Sequence, residues 1–407
     1  MRRMLSLFVA IAIMLVNIPA YAAAADKPMF KDVQSSHWAY ASIVQAATAG
    51  YVKGFPDGTF RPNDPVTASQ FMAMLVLSLT EKDGSGDINW SKETFARVPE
   101  SSKEVTFYGV KFDFSLGKPW YINYVNTLKY LGVISGEFNG RFEEALTRER
   151  AASISNHMAE HLDDFILDSY AEVATSQIKD NAKIDTFSRA SVGATVIRGL
   201  MTGFSDGNWQ PKKVVTRAEA IAIIERVKNP SLRSPQIPNM SGKFYSDVPS
   251  YEFTALKRIV FPNLEMKKAY ETLTGQLANF NGTSLIDSGK LWYYKDEKEK
   301  EKAKRKLFYF EKFADPEQYY DVVFNLSGNS YYVGLNIEKD GSINRAATPV
   351  NDLLKVIFNT ADATTVSKLI LNSATPSGTK VIGKRQIVIN NLGNILAVTI
   401  SAYPDSK

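Results

Sequence analysis

Cysteine is missing from all 407 residues. That excludes a disulfide framework, a thiolate metal site, a thiol nucleophile and a lipid-modified N-terminal cysteine. Histidine is scarce: His37, His157 and His161 are the three, so the C-terminal part of the chain holds neither a Ser-His-Asp nor a Cys-His device. Charge of one sign is also lacking. Lys and Arg number 48 against 43 Asp and Glu, a net +5 of which Arg2 and Arg3 supply two. So mild an excess, with no basic stripe, does not point to nucleic acid. Long apolar runs are confined to the N-terminus. The stretch Val381–Ser401 is broken by Lys384, Arg385 and several asparagines, so it is no tail anchor.

The N-terminus reads as a processing signal. Arg2 and Arg3 precede a short apolar run, Leu5 to Val16, and Ala20-Tyr21-Ala22 gives the small-x-small cleavage pattern. Residues 1–25 are expected to be a secretory signal cut near Ala22, the alternative being an uncleaved membrane anchor. The rest is 44% hydrophobic and 12% aromatic across the chain, hence globular, and long enough for two or three cores. A secreted chain without cysteine fits a Gram-positive cell surface.

What the sequence does have is a thrice-written pattern. One copy reads Gly50, Gly54-Phe55-Pro56-Asp57-Gly58, Phe60, Pro62 and Thr67-Ala68-Ser69-Gln70. Another reads Gly132, Gly136, Asn139-Gly140, Phe142 and Thr147-Arg148-Glu149-Arg150. The clearest reads Gly199, Gly203-Phe204-Ser205-Asp206-Gly207, Trp209, Pro211 and Thr216-Arg217-Ala218-Glu219. Two glycines stand four apart each time, with an aromatic six after the second; from that glycine to the threonine is 13, 11 and 13 residues. Such units stack to bury a core that none can bury alone.

Each unit follows from local physics. An amphipathic helix precedes the glycine pair, through Trp38, Ala41, Ile43-Val44 and Ala47 in the first copy and Tyr121, Tyr124-Val125 and Leu128 in the second. The first glycine stops it in a left-handed cap, and Asp-Gly or Asn-Gly turns the chain. Thr67, Thr147 and Thr216 are expected N-caps of a second helix, with Gln70 and Glu219 completing capping boxes that Arg150 breaks. Met72, Leu75, Val76 and Leu79, and Ile221, Ile224 and Val227, give that helix its inner face.

Phe30-Lys31-Asp32-Val33, His37-Trp38-Ala39, the run Gly50 to Pro62 and Thr216-Arg217-Ala218-Glu219 resemble the S-layer homology (SLH) domain, over roughly residues 28–230. The resemblance implies a mainly α, pseudo-threefold spindle of helix-loop-helix units at 28–85, 86–165 and 166–229. It further implies grooves that hold secondary cell-wall polymer through a pyruvylated amino sugar, without any cofactor or metal. Carried over position by position, the binding residues are Arg148, Arg217, Trp38, Trp120, Gly54, Gly136 and Gly203. Arg148 and Arg217 open a helix, where the dipole disfavours a cation, so an anion there would meet both free N–H groups and a guanidinium. For the glycines, turn geometry competes with close approach of a sugar, and for the tryptophans core packing competes with stacking.

The copies depart from the family pattern. Ala68 stands where an arginine is expected, a stretch from Trp90 to Lys118 is inserted before Trp120, and the last copy opens from Ile184-Asp185-Thr186-Phe187. One or two working grooves are expected, not three.

Residues 230–239, with Pro230, Pro235 and Pro238, read as an extended linker. Beyond it, Phe244–Pro249 echoes a repeat opening without its sequel. Residues 240–407 are expected to form an α+β domain with an antiparallel sheet: a helix near Met266–Leu277, strands at Leu291–Tyr294, Leu307–Phe310, Tyr319–Leu326 and Tyr331–Ile337, a turn at Asp340-Gly341, a helix at Val350–Phe358 and closing strands at Gln386–Asn390 and Ile395–Ile400. The charged run Asp296–Lys306 reads as a solvated connection or helix end, with a polymer-binding patch as the alternative. His157-Met158-Ala159-Glu160-His161 spells H-x-x-E-H, but it ends a repeat helix with no third ligand in view, so no metal is expected. Two functions fit: a non-catalytic, wall-anchored surface protein with possible self-association in a surface layer, or an anchored polysaccharide hydrolase whose catalytic half is unrecognised.

Overall fold

A computed structural model of the chain describes residues 28–99, 103, 107–110, 112, 118–163, 165–249, 256–287, 289–308, 320–326 and 328–402. The expected signal at 1–25 and much of the insertion before Trp120 lie outside these residues.

The N-terminal part is helical. Its helices are α1 (Tyr40–Thr48), α2 (Ala68–Ser78), α3 (Lys92–Arg97), α4 (Ile122–Tyr130), α5 (Arg148–Leu162), α6 (Asp168–Ser176), α7 (Arg189–Arg198) and α8 (Arg217–Lys228), with a small hairpin β1 (Thr80–Lys82) and β2 (Ile88–Trp90) after α2. The local signals act as read. Thr67 and Thr216 make full capping boxes with Gln70 and Glu219. Thr147 occupies the N-cap position of α5, yet its buried Oγ1 has no partner among the described residues. Arg150 turns away to Glu144 at 3.2 Å. Gly50, Gly132 and Gly199 follow the first helices with φ of 80°, 72° and 72°, the left-handed value that glycine adopts without strain.

The three units close on one another. Val66 donates its N–H to the Val215 carbonyl at 3.0 Å, Val215 to Leu146 at 2.8 Å, and Leu146 to Val66 at 2.8 Å. Beyond each bridge, the first two N–H groups of a second helix bond the loop of a neighbouring unit. Ala68 and Ser69 reach the Glu144 and Phe142 carbonyls, Arg148 and Glu149 reach Lys213 and Pro211, and Arg217 and Ala218 reach Asp64 and Pro62, all within 2.8–3.1 Å. One apolar core runs through all three units, from Val33 to Val227.

This bonding corrects the sequence alignment of the middle unit. The Phe142 carbonyl stands where those of Pro62 and Pro211 stand, so Phe142 does not correspond to Phe60 and Trp209. The two residues missing from this loop come out ahead of Phe142, and Phe138, buried in a single 3₁₀ turn at Gly136–Phe138, supplies the core aromatic.

The C-terminal part is a seven-stranded antiparallel sheet in the order β5 (Thr283–Asp287), β6 (Lys290–Tyr294), β7 (Val322–Asn325), β8 (Ser330–Asn336), β11 (Ile395–Ser401), β10 (Arg385–Asn391), β9 (Gly378–Ile382). One face is buried beneath α9 (Leu264–Gly275) and α11 (Ala347–Ile357), with α12 (Thr360–Ile370) packed on α11. α10 (Glu297–Phe308) packs on β5 and β6, and its Ala303 joins Leu285, Trp292, Tyr294 and Val323 in a separate cluster. The mixed helical and antiparallel architecture is as expected. Leu307 and Phe308 end α10 and are not a strand; the charged run before them is helical because it pairs Glu and Lys at i,i+3, as in Glu297–Lys300 and Glu301–Lys304. Phe244–Pro249 is β3, paired with β4 (Leu256–Phe261). α12 and β9 carried no signal strong enough to be read.

The linker is docked along its length. Ser234 and Gln236 donate to the Gly199 and Val196 carbonyls at 3.4 and 3.2 Å, and the Gln177 side-chain amide exchanges two hydrogen bonds with the Asn239 backbone. α6 ties the two parts together: the Val260 N–H reaches Ser169 Oγ at 3.1 Å, and Leu167 enters the C-terminal core.

Candidate functional site

The functional candidates gather where each second helix meets a neighbouring loop. These loops are held from inside by a carboxylate. Asp32 accepts the N–H groups of Phe60 and Arg61, both at 2.7 Å. Asp180 does the same for Trp209 and Gln210, at 2.7 and 3.0 Å. The last unit therefore opens at Ile178-Lys179-Asp180 and not at Ile184. Within each loop Asp57 and Asp206 cap the turn, accepting from Thr59 and Asn208, and these bonds hold the Asp57 carboxyl down at about 2.

Arg217 and Arg148 span the joint between units in matching ways. Arg217 Nε donates to the Phe60 carbonyl at 2.9 Å and Nη2 to that of Lys53 at 3.1 Å, with Cζ 4.6 Å from the Phe60 ring centroid. Arg148 Nε donates to the Trp209 carbonyl at 2.9 Å and Nη2 to that of Thr202 at 2.8 Å, with Cζ 4.7 Å from the Trp209 ring centroid. Burial lowers the pKa of both guanidiniums, which stay charged at any physiological pH. The expectation that an anion would meet free helix N–H groups is corrected here. Those at the first two positions are spent on the neighbouring loop, because the same bonds close the ring of units. What each arginine still offers is Nη1, which has no hydrogen-bond partner among the described residues. Arg148 is 7% exposed, whereas Arg217 is half-buried.

The third joint differs in charge. Ala68, buried beneath its neighbours, holds the arginine's place, and the facing loop carries Glu137, Glu143 and Glu144. Three carboxylates without an arginine clamp repel an anion.

Trp38 and Trp120 stand two residues before the first helices and are 64% and 48% exposed. The alternative that they pack in the core is thereby corrected: the inner face of α1 starts at Ile43, and that of α4 at Val125. Trp38 stacks on His37 with ring centroids 5.7 Å apart. Phe187, 55% exposed, holds the same place before α7; its spacing from Arg189 would have revealed it. Gly54, Gly136 and Gly203 are not left-handed, so turn geometry does not account for them. A Cβ would meet the Phe30 ring at 2.4 Å from Gly54 and the Asn208 carbonyl at 3.1 Å from Gly203, while Gly136 has only ordinary contacts.

His157 Nδ1 and His161 Nε2 are turned to the Val133 and Leu131 carbonyls, at 3.1 and 2.8 Å. Among the described residues no three metal-ligating side chains converge. In the C-terminal part, a cavity of about 770 Å³ lies beside Asp321, Glu338 and Arg345. Arg345 binds both Asp321 oxygens, at 2.8 and 3.0 Å, and Glu338 at 3.3 Å, so one guanidinium holds both carboxylates.

The S-layer homology domain family matches residues 30–72 and 177–221. The chain is 27% identical over 197 residues to an endoglucanase of Bacillus sp. (strain KSM-635), a match covering 48% of this chain and 18% of that protein. It is 28% identical over 218 residues to the S-layer protein sap of Bacillus anthracis, covering 53% and 23%. To a cellulosome-anchoring protein of Acetivibrio thermocellus it is 25% identical over 180 residues, covering 44% and 35%. The chain thus spans well under half the length of each of these relatives.

Proposed function

Taking as premise that this is an S-layer homology domain protein, matched at residues 30–72 and 177–221, we propose that it is a secreted protein held non-covalently on a bacterial cell wall. Three repeats at 28–85, 86–165 and 166–229 form a pseudo-threefold helical spindle whose joints hold secondary cell-wall polymer. The observation that carries this reading is the matched pair Arg217 and Arg148. Each spends two donors on loop carbonyls and keeps Nη1 for a ligand carboxylate, the group that a pyruvylated amino sugar would present. Arg217 is the principal clamp because it is the more open of the two. The joint at Ala68 is silent toward anions, which leaves two working grooves. Exposed Trp38, Trp120 and Phe187 give sugar rings a face to stack on.

Relatives named for surface layers and for anchoring support the surface assignment, and the Bacillus relatives support a Gram-positive one. The C-terminal domain has a binding or structural role in this reading. A hydrolase gains no support from its large cavity, since carboxylates tied to Arg345 are poor proton donors.

Retention on purified cell walls, before and after chemical removal of pyruvate ketals, tests the proposal. Loss of retention on depyruvylation and in Arg217→Ala is expected, with a smaller loss in Arg148→Ala. Retention indifferent to both treatments would sink the ligand assignment.

A further inference from the structure

Trp209 carries a polar atom that the fold does not need. Its indole is 1% exposed, and Nε1 has no hydrogen-bond partner among the described residues. In the first repeat the same place, held by the same carboxylate and covered by the same kind of arginine, is filled by Phe60, 0% exposed. Packing is thus satisfied by a ring without an N–H. A buried donor without an acceptor is costly, so its presence calls for a ligand.

The indole lines a cavity of about 260 Å³ between this loop and the docked linker. Its Cδ1, bonded to Nε1, lies 4.0 Å from where a Cβ of Gly203 would sit, and Gly203 lines the same cavity. The walls combine apolar groups, Ala174, Ile178 and Val196, with the side-chain amides of Gln177, Asn208 and Gln236. Neither Arg148 nor Arg217 lines it, so this is not an anion site. The linker closes one side through Ile237 and Pro238.

We propose that this cavity receives an acetamido group, whose carbonyl accepts from Trp209 Nε1 and whose methyl lies among Ala174, Ile178 and Val196. A carbonyl beside a methyl is the simplest group that matches a single donor in an apolar wall. The amides of Gln177, Asn208 and Gln236 serve the hydroxyls of the sugar that bears it. That the acetamide belongs to a sugar rests on the wall-anchoring reading; the pocket itself does not.

The test is the Trp209 indole resonance of the full chain labelled with ¹⁵N-tryptophan, titrated with N-acetylglucosamine and, separately, with glucosamine. Trp209→Phe assigns the resonance, and Phe60 is the precedent for its folding. Should it fail to fold, single Phe variants of Trp38, Trp90, Trp120 and Trp292 assign it by elimination. A saturable shift with N-acetylglucosamine alone is expected, at a Kd on the order of millimolar, with affinity about tenfold weaker in Trp209→Phe. No saturable shift overturns the proposal, because the indole then serves only solvent. Equal shifts with both sugars overturn the acetamido assignment. The readout involves no cell wall, so wall retention can fail with the indole still responding, and the reverse.

Discussion

Asp180 holds Trp209 in place from inside the loop, accepting its N–H at 2.7 Å and that of the next residue at 3.0 Å. Asp32 holds Phe60 and Arg61 identically. A carboxylate with two backbone donors is worth far more than a surface ion pair. Asp180→Ala is expected to cost roughly 2–4 kcal/mol, and Asp32→Ala a comparable amount. Urea unfolding would measure both; a loss below about 0.5 kcal/mol would show the loops to be held by other contacts.

Trp38 should behave in the opposite manner. At 64% exposed it contributes little to the core, so Trp38→Ala is expected to change stability by less than about 0.5 kcal/mol while weakening wall retention. Phe187→Ala should do likewise. A large stability loss with unchanged retention would return these aromatics to a packing role.

His161 makes the fold sensitive to mild acid. Burial lowers its pKa from the ordinary 6.5, against the opposing pull of the Leu131 carbonyl. A base with a depressed folded pKa contributes stability that is present above the unfolded value and lost as pH falls below it. The neighbouring Glu160 has its carboxyl pushed up, first by burial. It acts with the other sign, favouring the fold at low pH and losing that contribution as pH rises above the ordinary 4.5. Subtracting the melting profile of His161→Gln isolates the histidine. The wild type is expected to lose stability relative to the variant below about pH 6.5, and parallel profiles would contradict this.

In the C-terminal domain Arg385 is fully buried, with Nη2 bonded to both Glu265 oxygens at 2.7 Å and its other donors on the Ile357 and Ser401 carbonyls. Glu265 also accepts from Tyr331 at 2.5 Å. Removing one partner strands a buried charge, so Glu265→Ala is expected to cost about 3–5 kcal/mol by thermal or denaturant unfolding. A loss under about 1 kcal/mol would mean that the carbonyls alone satisfy the guanidinium.

Whatever depends on neighbours along the chain was written in the sequence. Capping boxes at Thr67 and Thr216, left-handed glycines at 50, 132 and 199, the helix of 347–357 and the strands of the sheet all follow from contacts within a few residues. The arginine positions were legible for the same reason. Tertiary structure decided what those signals meet. Phe138 replaces Phe142 in the core because the closing ring of units fixes each loop from its far end, where the bonds to the neighbouring helix form. The helix N–H groups beside Arg148 and Arg217 are spent on carbonyls that lie far along the chain, which no local pattern records. Trp38 and Trp120 turned outward because helix periodicity marks an apolar face but not where that face begins. The linker's prolines predicted an extended path, and only the folded surface of α7 determined that this path is docked.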